Sequence, residues 1–176
     1  MMAVKTEAGP MVVALGEAQA FVRVETGEEE ALLAGLVRTA TSICEQFLGT
    51  WLMRRSFETI LSAGTGWQTL PMRPVASIDD VAALRSDGSS MPLAAGEYEV
   101  DLDVAGRGLI RCLAVASQRV VVSGTAGAAM SPNEVPEPVR QGVLRLVAHL
   151  FAHRDGDARP PAAVTALWRP YREVRL

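Results

Sequence analysis

The sequence predicts an α+β protein: a helical bundle, with long N-terminal and C-terminal helices, into which a small antiparallel β-lobe is inserted. Three observations lead there. An apolar stripe of helical period runs from Leu32 to Leu48, and a second runs from Val139 to Leu150. Between them the pattern changes to short runs separated by turn residues, as expected of strands rather than helices.

Residues 1–15 show no sustained periodicity and are expected to form a mobile N-terminal segment, with 16–176 as a single domain. Ala20, Phe21 and Val24 give a weak helical pattern, so a short leading helix is expected over about 17–24. Thr26-Gly27-Glu28-Glu29 fits a capping box: the Thr26 hydroxyl would accept from the Glu29 N–H and the Glu29 carboxylate from the Thr26 N–H. The acidic run Glu28 to Glu30 suits the positive end of a helix dipole. A long helix over about 27–48 should come next, its stripe carried by Leu32, Leu33, Leu36, Val37, Ala40, Ile43, Cys44, Phe47 and Leu48 and closed by Gly49. The stripe is wider than one neighbour needs.

The β-lobe is expected over about 51–124. Its strand segments are Ser56 to Leu61, Trp67 to Leu70, Asp79 to Leu84, Glu97 to Val104, Gly108 to Cys112 and Gln118 to Gly124. Gly64-Thr65-Gly66, Asp87-Gly88 and Gly106-Arg107-Gly108 are the expected reversals. In one strand Glu97, Glu99, Asp101 and Asp103 alternate with Tyr98, Val100, Leu102 and Val104, which separates an acidic face from an apolar one. Such a face lines a channel, binds a cation, or is a solvated face whose uniform sign helps keep an edge from pairing with another chain.

A second long helix is expected over about 136–154. Pro136 and Pro138 mark its start, because the first turn has N–H groups without intrahelical partners and a missing donor costs little there. Asp155-Gly156 is the expected stop. A last helix over about 161–169 puts Val164, Leu167, Trp168 and Tyr171 on one face before Pro170 ends it, leaving a tail at 170–176. So short a helix cannot stand alone in water, because nucleation is costly and few turns offset it. It must dock, either on its own domain or, through Trp168 and Tyr171, on a partner. Arg169, Arg172 and Arg175 make this terminus basic.

With 176 residues, 49% of them hydrophobic, the chain can bury a core without disulfide or metal staples. A net charge of −3 gives no general drive toward nucleic acid or anionic membranes. Two cysteines, Cys44 and Cys112, are too few for a disulfide framework and suit a reducing compartment. No apolar run approaches the roughly 20 residues of a membrane span. The run from Met11 to Leu15 is too short for a signal-peptide core, and Glu7 stands where a basic region would be needed, so a cytosolic location is expected.

Catalytic chemistry is not expected. His149 and His153 are four apart on one helix, but HLFAH lacks the glutamate of a zinc-protease helix, and the chain has no third histidine. Gly64-Thr65-Gly66 lacks the Gly-Lys-Ser/Thr of a phosphate loop, and Ser123-Gly124 lacks the preceding glycine of a nucleophile elbow. The reading is therefore of a non-enzyme with no cofactor and no metal.

Six stretches, in this order and spacing, resemble the phage head-to-tail connector (adaptor) family, including the adaptor rings of phage-like gene transfer agents. They are EEEALLAGLVRTATSICEQFLG (28–49), LPMRPVASIDDVAAL (70–84), GEYEVD (96–101), RVVVSGTAG (119–127), VPEPVRQGVLRLVAHLFAHRD (135–155) and ALWRPYREVRL (166–176). The resemblance implies a single connector domain assembled into a ring of about twelve copies under the portal. Such a ring would extend the DNA channel, pass double-stranded DNA without sequence-specific contact, and meet the next connector, stopper or tail-terminator ring. It implies no membrane partner, and assembly in a bacterial cytoplasm before residence in a virion or virion-like particle. It assigns portal contact to Trp168, Arg169, Tyr171, Arg172, Val174 and Leu176. It also makes Glu97, Glu99, Asp101 and Asp103 channel-facing candidates. The C-terminal segment is expected to be partly disordered in the free subunit and to order on the portal. The alternatives are a head-closure stopper or tail-terminator ring and, from a different class, a DNA-binding packaging protein, which would need a basic patch that this chain lacks outside its terminus.

Overall fold

The computed structural model of the chain describes residues 4–6, 9–25, 27, 29–113, 117–153 and 159–172. Among them are four α-helices and eight β-strands, and the chain divides into two compact units. One unit comprises Met1–Gly9 and Arg54–Ala128 and holds every strand; the other comprises Pro10–Met53 and Ala129–Leu176 and holds every helix.

In the β unit, β1 (Val4–Thr6), β2 (Arg55–Ser62), β4 (Val75–Leu84), β5 (Ser90–Pro92) and β8 (Arg119–Ala126) form one antiparallel sheet in the order β1-β2-β8-β4-β5. A second antiparallel sheet runs β3-β7-β6, from β3 (Gln68–Thr69), β7 (Gly108–Cys112) and β6 (Tyr98–Leu102). Alternation decides what is inside: Phe57, Leu61, Val120, Val122, Ile110 and Cys112 are buried at every second position of their strands. β8 is the central strand, paired with β2 on one side and β4 on the other. The β4–β8 register is irregular between Val75 and Ser77 and between Ile78 and Asp80. There Ser77 Oγ and Thr125 Oγ1 share a hydrogen bond of 2.8 Å. The backbone of β4 comes so close to Gly124 that a Cβ at that position would overlap the Ser77 carbonyl oxygen.

In the helical unit, α1 (Leu15–Val22), α2 (Glu30–Leu48), α3 (Glu137–Ala152) and α4 (Ala162–Trp168) enclose one apolar core. Leu33, Val37, Ala40, Cys44 and Leu48 of α2 face Val139, Val143, Leu146, Val147 and Leu150 of α3 within it. Gly49 takes the left-handed conformation that ends α2, φ 74°. The buried Glu45 carboxylate then accepts the Leu52 N–H at 2.8 Å, which fixes the exit from the helix. Arg140 ties α3 to α1 through Glu17 (2.8 Å) and also bonds Glu137 (3.0 Å). Where the chain leaves and re-enters this unit, Met53 bridges Ala129 and the Ala129 N–H donates to Leu52 O at 2.8 Å.

The expected helical bundle with long N-terminal and C-terminal helices and a small β-lobe does not form. The first and last helices have only 8 and 7 residues, and the inserted region is a full two-sheet unit with its own core. The physical reason is that helical stripes register as long continuous patterns, whereas strand pairing between distant segments leaves only short local signals. β1 shows this best: three residues within the supposedly mobile segment pair in register with Thr59, Glu58 and Phe57. Val12 and Val13, also within 1–15, are fully buried. The capping box also differs. Thr26 and Glu28 lie outside the described residues, and it is Glu30 whose carboxylate accepts the Gly27 N–H, at 3.2 Å. Helix α3 ends at Ala152, and the expected stop at Asp155-Gly156 lies outside the described residues.

Because the atom facing Gly124 is backbone and cannot rotate away, Gly124→Ala should cost about 3 kcal/mol, the upper end for overpacking. Urea unfolding monitored by circular dichroism should show the loss, and an unchanged midpoint would contradict this account of the β4–β8 approach.

Candidate functional site

Two regions carry the residues singled out from the sequence: the turn that ends α4, and strand β6 with its hairpin. Pro161 starts α4 and Pro170 stops it, after which Arg169–Tyr171 form one 3₁₀ turn. Trp168, the last residue of α4, is 0% exposed and is the largest fully buried side chain of the described residues. Its indole Nε1–H donates to the Val139 carbonyl oxygen at 3.2 Å, so the polar atom is satisfied as well as the ring. The ring lies against α3 at Gly142, where a Cβ would overlap Nε1, and it meets Phe47 of α2 at a centroid distance of 5.8 Å. Trp168 therefore anchors α4 within its own unit.

The residues after it are arranged differently. Arg169, Tyr171 and Arg172 are exposed, Tyr171 at 39%. The Arg172 guanidinium carbon lies 5.4 Å from the centre of the Phe47 ring, a cation–π contact that holds the turn against α2. Val174 and Leu176 lie outside the described residues.

On the acidic strand, three of the four carboxylates are already engaged. Glu97 accepts the Ala94 N–H at 2.6 Å. Glu99 accepts from Arg111 Nε at 2.8 Å, and Arg111 in turn stacks over Trp67 at 4.8 Å, so glutamate, arginine and indole form one layer across the three-stranded sheet. Asp103 lies just beyond the strand and closes the hairpin, accepting from the Ala105 and Arg107 N–H groups and from Arg107 Nε. Only Asp101 is left without a partner among the described residues. Sequence reasoning missed Arg107 and Arg111 as counter-charges. Setting the β6–β7 register from the Gly106–Gly108 reversal would have put Arg111 opposite Glu99.

Bonds from the Arg107 backbone and then its side chain hold the Asp103 carboxyl below the ordinary aspartate range. Burial of Cys44 pushes its thiol far up, so it stays protonated and unreactive. His149 and His153 sit with ring centres 4.5 Å apart, and among the described residues no group of three potential ligands could hold a metal ion. No helix of the described residues is long and apolar enough to cross a membrane. An open groove of about 720 Å³ lies at the β4–β5 end of the larger sheet. Arg85 there donates to Met91 Sδ and Asp87 accepts from Ser89, so these two charged groups are held by local structure.

Comparison with known proteins gives a consistent result. No family profile and no curated protein matches the sequence. Among solved structures, the chain is similar to a chain of the neck of an empty gene transfer agent (GTA) particle computed with C6 symmetry, at 28% identity and a TM-score of 0.78, over 100% of this chain and 97% of that one. It is similar to a chain of the virion of a native GTA particle at 29% identity and a TM-score of 0.74, over 98% and 96%. It is also similar to a chain of the neck of a native GTA particle computed with C12 symmetry, at 30% identity and a TM-score of 0.66, over 97% of each. The fold is thus that of structural proteins of GTA particles. This chain belongs to the neck-protein family of gene transfer agents.

Gly142→Ala should push the indole off α3 and destabilise the helical unit by about 1–3 kcal/mol, read as a lower urea midpoint with loss of the 222 nm signal. For Asp103, a depressed folded pKa means that its contribution to the hairpin is present above the unfolded value of about 3.9 and is lost as pH falls through the lower folded value. A carboxyl titration by NMR should give a midpoint below 3.9, and the Ala105 and Arg107 amides should move with it. Asp103→Asn should abolish that coupled shift.

Proposed function

We propose that the chain is a head-to-tail connector of the adaptor type: a subunit of a ring of about twelve copies that sits under the portal, extends the DNA channel and joins head to tail. The observation that carries this reading is its end-to-end likeness to a neck chain of a native GTA particle computed with C12 symmetry. The surfaces fit such a role. Among the described residues they offer packing and hydrogen-bonding groups, and passing DNA meets a chain of net charge −3 in which Arg107, Arg111 and Arg140 are tied to carboxylates.

In this reading the portal is gripped by the turn that α4 presents. Trp168 is the internal anchor, and Arg169, Tyr171 and Arg172 are the presented side chains. Val174 and Leu176 extend the same contact. The portal-bound state then needs no unfolding of α4, only docking of the residues beyond it, which keeps the entropic cost small. The likeness to a neck computed with C6 symmetry favours a second reading, a head-closure stopper or tail-terminator ring further down the neck.

Co-expression with the portal protein of the same particle, with affinity capture of the complex, tests the grip. Arg169→Glu with Arg172→Glu should reduce capture at least about tenfold, as expected for like charges placed at an interface, while the urea midpoint falls only by the loss of the exposed Arg172–Phe47 contact, about 0.5–1 kcal/mol. Equal capture would reject the portal contact. A copy number of six per neck, measured by imaging particles, would favour the second reading.

A further inference from the structure

Four strands of the β unit lie at sheet edges: β1 and β5 in the larger sheet, β3 and β6 in the smaller one. Edge strands are a hazard unless they are short, blunted or covered. β5 is blunted by Pro92, and β3 has only two residues, beside which the Gln68 side chain donates to Ser62 O. Among the described residues β6 has no proline and no covering segment, and of its two carboxylates Glu99 is paired with Arg111 while Asp101 is bare. The Leu113 N–H donates to Glu97 O and the Asp103 N–H to Arg107 O, with unbroken register between. The alternation of an antiparallel ladder therefore turns the backbone groups of Tyr98, Val100 and Leu102 away from β7, toward the open edge. The apolar side chains there are uncovered too, Val100 at 42% exposure and Leu102 at 44%. Yet they lie on the inner face, with Ile110 and Gly108, while Asp101 lies on the outer face.

β1 is the matching edge. Val4 and Thr6 pair with the buried Thr59 and Phe57, so they continue the inner face, while Lys5 lies on the outer face across from Glu58. All three are exposed. The two edges therefore carry the same apolar-charged-apolar or polar pattern with opposite charge, Val100-Asp101-Leu102 against Val4-Lys5-Thr6. They also belong to different ends of the unit: β6 packs beside β4, whereas β1 is separated from β4 by β2 and β8. An edge and its complement at two separate places on one molecule make a head-to-tail contact, the kind that closes a ring.

We infer that β6 of one copy takes β1 of a second copy as an added strand, with Lys5 beside Asp101 and Val4 and Thr6 covering Val100 and Leu102. This rests on the reading of the chain as a ring subunit. Three paired residues are too few to hold a free dimer, so the pairing belongs to the assembled neck, where neighbouring contacts and ring closure reinforce it.

The test uses particles produced with the full chain in its place. Side chains directly opposite on paired strands have Cβ atoms about 4.5–5.5 Å apart, within reach of a disulfide after small adjustment. Lys5→Cys combined with Asp101→Cys should, after mild oxidation of purified particles, give a ladder of linked multimers on a non-reducing gel. Either substitution alone should not, since Cys44 and Cys112 are buried. Independently, Lys5→Glu or Asp101→Lys should lower the amount of chain in particles about tenfold, and the two together should restore it. A chain that is present in particles at wild-type level in every variant, with no ladder, overturns the strand pairing and leaves the neck assignment standing. A wild-type chain missing from purified particles overturns both.

Discussion

The helical unit depends on the seat of one indole. Trp168 reaches α3 only because residue 142 has no side chain, and its N–H finds the Val139 carbonyl, an oxygen in the first turn of α3. Burying a large aromatic there offsets the nucleation cost that a seven-residue helix cannot recover by itself. Two other arrangements result from it. Phe47 of α2 is drawn against the indole, and on its accessible side accepts the Arg172 guanidinium, so α2, α3, α4 and the turn after α4 are joined through two rings. The direction in which the chain leaves α4 is set by Pro170, which stops the helix within one turn of its anchor.

The β unit is organised by approach rather than by a large side chain. β8 has partners on both sides, and at Gly124 the approach of β4 leaves no room for a Cβ. Around the small sheet, charge is neutralised in place: Arg111 covers Glu99 and Arg107 covers Asp103. A strand that looks uniformly acidic in sequence is therefore half neutralised in the fold: Glu97 meets a backbone N–H and no cation, and Asp101 has no partner among the described residues. Pairing of this kind at the surface contributes little to stability, but it determines what charge a neighbour meets.

Much of the helical unit is legible in the sequence. The stripe of α2, its glycine stop, the two prolines that open α3 and the break at Pro170 each have a local cause that sequence displays directly. The features that are not legible depend on partners distant in sequence. Nothing in Val4-Lys5-Thr6 announces a strand until β2 is placed beside it, and nothing in Gly142 announces a tryptophan seat until Trp168, 26 positions on, is brought back to it. The same limit explains the small size expected of the β region: its strands can be found one by one, but the two sheets that give it a separate core appear only once β8 is set between β2 and β4. At the candidate site, residue types are legible while their states are not. The pattern around Trp168 allows the ring to face its own domain or a partner, and the hydrogen bond to Val139 turns it inward.

That inward turn changes the energetics of any contact made by the C-terminus. A helix that forms only on its partner must offset the ordering of all its residues from the binding energy, whereas a helix already seated has met that cost during folding. Here the seat lies one residue before the exposed turn, so Arg169, Tyr171 and Arg172 are held near a fixed point with few free torsions between them and the core. Charged and aromatic groups presented in this way favour fast, specific encounter over large buried area. Such constraints are of shape and packing, which many sequences can satisfy. This accounts for how a chain can share 28% of its residues with a gene transfer agent neck protein and still superpose over its full length at a TM-score of 0.78.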